Sequence, residues 1–319
     1  RGEREFTRSL EGIDKPNLIL LRGDLLRRAG CIDQALALMR DLYERFPESP
    51  SLATSLAVLL QEHGQLKEAL THARRATEAT PDDSTAVENL IAILLQLGRP
   101  DETHAYLTHM RRLKPLDQRW LAYEATAARL EGDSRYDELF DYARFVRGFD
   151  LEPPTGYATI EEFHEELVPV LYERHGFHAH PLDQSLRSGS QTPRSLLSDP
   201  SPVIGSLIDS LKKSIEVYRE AIGYDAGHPF LKRNQNKSRI VGCWSVKLRS
   251  GGFHVNHIHP EGWLSSAYYV EVPEAVADAN DKSGWIKFGE PRMPIPGAGP
   301  AHYEQPRAGR LVLFPSYMW

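Results

Sequence analysis

A chain of 319 residues with 41% hydrophobic and 26% charged residues has the makeup of a globular protein, with room for two domains. Its formal net charge of -6 disfavours a nucleic-acid partner, because phosphate binding goes with a basic surplus. Cys31 and Cys243 are too few and too far apart for a disulfide framework, and no apolar run is long enough to span a membrane. The opening residues carry no secretory pattern, so a cytoplasmic location is expected. The chain starts on Arg1 and stops on Trp319 straight after an apolar run, and both ends read as cut.

Residues 1–15 form an N-terminal segment without a pattern. Beyond it, Gly30, Gly64, Gly98 and Gly132 recur every 34 residues, and Pro47, Pro81 and Pro115 recur at the same interval. Ala35 and Ala69 fall in register, with Thr103 in the third place. Each unit reads as helix, glycine turn, helix, proline: glycine allows the tight turn, the small residue allows close approach, and proline stops the second helix. Leu52, Leu56, Leu59, Leu66, Leu70 and Ala73 recur at helical spacing and are candidate core. The pattern resembles the tetratricopeptide repeat (TPR) and covers 16–150, with three clear units and a fourth that has Phe149 in place of the proline. The resemblance implies a groove that binds a protein or peptide, with a rigid handle or a dimer surface as the other uses of such an array. Arg27, Arg28, Arg74 and Arg75 are read as solvated helix face.

After Pro153 and Pro154 the repeat is lost. Residues 151–180 read as a helical connector, opened by Thr159 with Glu162 completing a capping box. "PLDQSLRSGSQTPRSLLSDPSP" reads as a long loop, and "VIGSLIDSLKKSIEVYREAIG" as a helix with Ile204, Leu207, Leu211, Ile215 and Val217 roughly on one side. Of His164, His175, His178 and His180, most are read as surface residues and none is singled out as a ligand.

From Ile240 the period changes from helix to strand. "RIVGCWSVKL", "WLSSAYYVEV", "GWIKFGE" and "GRLVLFPS" are short β-branched and aromatic runs separated by turn residues, as in a barrel or sandwich. Between the first two lies "GGFHVNHIHPEGW", with His254, His257 and His259 within six positions. Side chains two apart on an extended chain point the same way, so His257 and His259 converge, while His254 joins them only if the chain bends. Such a pair suits a divalent transition metal, yet a polar loop bonded to backbone and water accounts for the spacing equally well. His259 with Glu261 is a second i, i+2 pair; Pro260 and the turn expected at Glu261 favour His257 with His259. Ser265, Ala267 and Tyr269 share one strand face, and the small residues leave room for a ligand beside Tyr269. His302 is read as an inert loop residue, and Arg307 and Arg310 as solvated.

"HIHPEGWLSSAYYV", "GWIKFGEP" and "PRAGRLVLFPSYMW" together resemble the core of the 2-oxoglutarate and Fe(II)-dependent oxygenases, in a bacterial branch where His-x-His-Pro replaces His-x-Asp. The resemblance covers about 180–319. It implies an α+β, multidomain chain: a helical TPR solenoid followed by a double-stranded β-helix, of the jelly-roll or cupin-like kind, over 181–319. It further implies His257 and His259 as Fe(II) ligands and catalytic residues, Tyr269 on the cosubstrate 2-oxoglutarate, and a third ligand just beyond Trp319. The activity implied is a dioxygenase that hydroxylates its substrate with O2, with no nucleic-acid or membrane partner. Two other readings stay open: a TPR scaffold with a non-catalytic cupin-like domain, and a zinc or manganese cupin enzyme that uses no keto acid.

Overall fold

The four glycines spaced at 34 residues set the geometry of the helical half. Gly30, Gly64, Gly98 and Gly132 have φ of 75, 82, 69 and 69°, a left-handed conformation that costs glycine little. The structure, a computed structural model, describes residues 16–176, 185–235, 237–278 and 280–319. The N-terminal segment 1–15 and the histidines His178 and His180 lie outside the described residues.

The helices are α1 (Pro16–Arg28), α2 (Ile32–Arg45), α3 (Pro50–Glu62), α4 (Leu66–Ala79), α5 (Ser84–Gln96) and α6 (His104–Leu113). Helices α2, α4 and α6 end on Phe46, Thr80 and Lys114, each outside the helical region at φ of -133, -137 and -130°. The following proline excludes the helical conformation there, so the repeat is written into the backbone as well as the core. Ala35, Ala69 and Thr103 are all 0% exposed. Thr103 hides its hydroxyl by donating to the Pro100 carbonyl at 2.7 Å. Leu52, Leu56, Leu59, Leu60 and Leu90 fill one continuous core with Ala57, Ala69 and Ala73. The arginines read as solvated are paired with carboxylates: Arg27 with Asp24 and Glu62, Arg28 with Asp24, Arg74 with Glu102, Arg75 with Glu48.

The fourth glycine does not lead to a full second helix. After α7 (Arg119–Glu131) come only α8 (Arg135–Leu139) and α9 (Tyr142–Phe145), then the strand β1 (Arg147–Asp150). Phe149, at the proline position, sits in that strand opposite Leu311. The chain divides into two compact units, one comprising the described part of 1–116 with 126–133 and 293–297, the other 117–125, 134–292 and 298–319.

In the second unit, α10 (Ile160–Glu173) begins at Thr159, whose side chain accepts from the Glu162 N–H, as the capping box requires. The long loop expected after it contains a strand, β2 (Leu186–Gln191), and a short 3-10 turn at Leu196–Ser198. In α11 (Pro202–Ile222) the buried stripe is Ile204, Leu207, Leu211, Tyr218 and Ile222. Val217 falls one position off that stripe and is 54% exposed.

The remaining strands are β3 (Val246–His254), β4 (Leu264–Tyr268), β5 (Ile286–Phe288), β6 (His302–Glu304) and β7 (Arg310–Pro315). They form three antiparallel sheets: β1-β7-β4, β2-β3 and β5-β6. The first strand expected, at 239–248, starts only at Val246 and runs on through Gly251 and Gly252. Those glycines are needed, because a Cβ on Gly252 would lie 2.4 Å from the Ser188 carbonyl. His302 is in β6 rather than a loop, stacked on Tyr142 at 5.1 Å. No helix among the described residues is long and apolar enough to cross a membrane.

Ala69→Leu puts three extra heavy atoms into a position with no exposed surface. It should lower stability by about 1–3 kcal/mol, seen as a lower urea midpoint of the helical transition, whereas Lys67→Ala on the exposed side should leave it within about 0.5 kcal/mol.

Candidate metal centre

The candidate site lies on the segment between β3 and β4. Strand β4 is held by β7 in the register Ser265↔Phe314, Ala267↔Val312 and Tyr268↔Leu311. The ladder extends backwards, since Ser316 N–H donates to the Trp263 carbonyl and His259 N–H to the Ser316 carbonyl, both at 3.0 Å. A turn follows His259, closed by the Gly262 N–H on the His259 carbonyl at 3.1 Å. Gly262 suits that turn because a Cβ there would meet Ser316 Oγ at 2.6 Å. The Pro260 carbonyl accepts the Gln118 N–H at 2.7 Å, and Trp263 Nε1 donates to the Phe230 carbonyl at 3.0 Å. His259 is therefore carried on backbone fixed from three directions.

His257 and His259 meet edge to face, with ring centroids 5.1 Å apart. Two imidazoles that ligate one first-row divalent ion at about 2.1 Å have centroids about 4.5–5.5 Å apart. The separation fits. His257 Nδ1 lies 2.8 Å from the Val255 carbonyl, which only a protonated Nδ1 can use. Nε2 then carries the lone pair, the tautomer that a ligand needs.

His254 is the residue that the sequence reading left aside. The chain does bend after β3, and its ring centroid comes within 5.8 Å of that of His257. Its Nδ1 is 2.8 Å from Ser185 Oγ. Burial, then the neighbouring His257 and His259, lowers its pKa to about 4. His259 is also held below the ordinary imidazole range, chiefly by lost hydration and then by His257, although part of its surface is exposed. His254 and His259, which resist protonation, are electron-pair donors at neutral pH. Glu261 lies exposed in the turn, one residue past Pro260. Among the described residues, no group of three or more His, Cys, Asp or Glu side chains is set to hold a metal ion.

The two tyrosines of "AYYV" have different surroundings. Tyr268 Oη is 2.7 Å from His164 Nε2 on α10, and burial raises the phenol's pKa. His164 is not a surface residue: it is 8% exposed, and burial lowers its pKa. Tyr269 follows the end of β4, its N–H on the Arg310 carbonyl at 3.0 Å. Burial, aided by Glu304, pushes its hydroxyl up to about 12, so it remains a donor at any physiological pH. Ser265, on the same face, bonds Ser316 Oγ at 2.9 Å.

Arg310 is not solvated. Its guanidinium lies against Gly148, where a Cβ would be 2.3 Å from Nη2, and it faces Asp150 at 3.4 Å and Glu304 at 3.6 Å. Its Nε is buried with no hydrogen-bond partner. Sequence could not have shown the Asp150 contact, because β1 lies 160 residues away along the chain, whereas Glu304 is a near neighbour in sequence.

Two family models match the chain. Residues 242–319 match "Putative 2OG-Fe(II) oxygenase", and residues 26–94 match a tetratricopeptide repeat. The chain is thus similar to tetratricopeptide repeats over one segment and to the oxygenase family over another. Solved structures similar to it include TTC0263, a TPR protein of Thermus thermophilus, at 21% identity over 44% of this chain and 78% of that one, TM-score 0.37. A TPR protein of Parabacteroides merdae gives 16% identity over 44% and 57%, TM-score 0.40. YrrB, described as a TPR protein with an unusual peptide-binding site, gives 19% over 43% and 70%, TM-score 0.36. No curated protein matches.

His164, His175 and His228 are all held below the normal imidazole pKa, with burial as the first cause. In the unfolded chain they protonate near pH ~6.5, so stability is full above that pH and falls as the pH drops below it. The urea midpoint of the second unit should fall between pH 7 and pH 5, and His164→Gln should flatten that slope.

Proposed function

We propose that the C-terminal unit binds Fe(II) and 2-oxoglutarate and acts as a dioxygenase that hydroxylates its substrate, and that the helical repeats contact a protein or peptide. The observation that carries the metal assignment is the edge-to-face approach of His257 and His259 at 5.1 Å, with the His257 tautomer set by the Val255 carbonyl. The oxygenase-family match over 242–319 spans all three histidines and Tyr269. We read the sheets β1-β7-β4 and β5-β6 as parts of a double-stranded β-helix, with the bound metal and keto acid supplying oxidative decarboxylation coupled to hydroxylation.

The chain's own residues have separable tasks in this reading. His257 and His259 are the catalytic pair that holds the metal through neutral nitrogens. The β4–β7 ladder and the Gly262 turn keep His259 in place. Tyr269, protonated and half-buried, donates a hydrogen bond to a carboxylate of 2-oxoglutarate. Ser265 and Ala267, small residues on the same strand face, leave space beside it. His254, bonded to Ser185, stands against His257 and restricts its ring. A third ligand is needed from residues outside this set.

The test is an anaerobic titration of the protein with Fe(II) and 2-oxoglutarate. A metal-to-ligand charge-transfer band in the visible is expected, and His257→Ala and His259→Ala should each abolish it. Tyr269→Phe removes one hydrogen bond to a charged group, so it should weaken 2-oxoglutarate binding by roughly 10- to 100-fold while leaving Fe(II) binding nearly unchanged. No band with both histidines intact would overturn the proposal in favour of a repeat scaffold with a non-catalytic or differently metallated cupin-like domain.

A further inference from the structure

The helical unit contains five residues from far along the chain. Met293, Pro294, Ile295, Pro296 and Gly297 belong to it, while Arg292 and Ala298 on either side do not. They meet the first helices of three successive repeats. Gln61 Nε2 of α3 donates to Met293 Sδ at 2.9 Å, and Gln96 Nε2 of α5 donates to the Pro294 carbonyl at 3.3 Å. The place of a Cβ on Gly297 is 3.5 Å from Leu130 of α7.

The segment is laid down like a bound peptide. Met293 is half-buried, Pro294 exposed, Ile295 6% exposed and Pro296 exposed, so alternate side chains turn inward. Prolines at 294 and 296 fix φ and remove backbone donors, which lowers the entropy lost on docking and leaves carbonyls as the groups to be read. The helices supply amide donors to match. Gln61 and Asn89 are 8% and 6% exposed, and with Gln96 they form a chain: Asn89 Nδ2 donates to Gln61 Oε1 at 3.0 Å, and Gln61 Nε2 to Gln96 Oε1 at 2.7 Å. The two buried amides, Gln61 and Asn89, carry a desolvation cost that the leucines around them do not. Asn89 Oδ1 remains buried without a partner, an acceptor that this proline-spaced occupant leaves unused.

We propose that this face of α3, α5 and α7 is a reader for extended, proline-spaced apolar segments of the form Met-Pro-Ile-Pro, and that residues 293–297 occupy it in cis as a strap. A partner offering a segment of the same chemistry binds by displacing the strap. The inference rests on the peptide-binding reading of the repeats and is independent of the metal. Because the strap is tethered, its effective concentration is about millimolar, so a peptide in trans competes poorly until the strap is loosened.

The probe is a fluorescein-labelled peptide, EPRMPIPGAG, with a scrambled peptide whose prolines are no longer alternate. Anisotropy is read on the full chain, on Ile295→Ser, and on Ile295→Ser with Gln96→Ala. Circular dichroism checks each fold, and Ile295→Ala serves as a milder variant. Trypsin cleavage after Arg292 reports whether the strap has lifted and should quicken at least tenfold in Ile295→Ser. The expected result is strap-peptide binding at least tenfold tighter to Ile295→Ser than to the unaltered chain, weakened again by Gln96→Ala. Equal binding to both chains overturns the inference. If the scrambled peptide binds the opened face as well as the strap peptide does, the proline-spaced reading falls while the repeats remain a peptide reader. If neither binds although cleavage has quickened, both fall.

Discussion

The pairing of β4 with β7 is the constraint on which the candidate site depends. Its hydrogen bonds continue past the strand ends, through Trp263 and Ser316 to His259 at one end and through Arg310 to Tyr269 at the other. One ladder thus places both a nitrogen donor and a phenol donor. A slip of one residue would turn every side chain of β4 to the opposite face and take Tyr268 off His164. The His164–Tyr268 contact has a matching role, because it holds the register from the α10 side while Leu311, Val312 and Leu313 on β7 are all buried.

The histidine row works through what it withholds. Three imidazoles at 5.1 and 5.8 Å would repel one another if charged, so proximity and lost hydration act in the same direction. His257 makes both His254 and His259 less basic and so keeps their lone pairs available to a cation. A neutral ring has two tautomers, and the Val255 carbonyl, which can only accept, selects between them for His257.

Legibility followed the range of the interactions. Gly30, Gly64, Gly98 and Gly132 announce themselves because each serves a local turn whose demand for positive φ is met within a few residues. Strands β4 and β7 were readable for the same reason, as both alternate or run apolar over their own length. The strands β2 and β3 were hidden by Gly189, Gly251 and Gly252, which sequence rules treat as loop punctuation but which here permit close backbone approach and a bulge. In the candidate site, His257 and His259 could be picked out from spacing and family likeness. His254 could not, since its nearness depends on a bend, and Arg310 could not, since Asp150 reaches it only through the pairing of β1 with β7.

The same distinction explains the strap. Met293 to Gly297 has no periodicity of its own, and its prolines mark it as a connection. Its place is set from the other side, by a row of buried amides in helices whose leucine pattern promised only core. Gln61 and Asn89 sit at interior positions of α3 and α5 where an apolar residue would satisfy the helix period equally well. A polar side chain retained at such a place is stabilising only if something supplies its hydrogen bonds, and Gln61 and Gln96 find part of theirs in Met293 and Pro294. The amides and the proline-spaced segment are therefore one feature. On the proposed reading, the polar seam of the repeats is kept for the proline-spaced segment that lies along it.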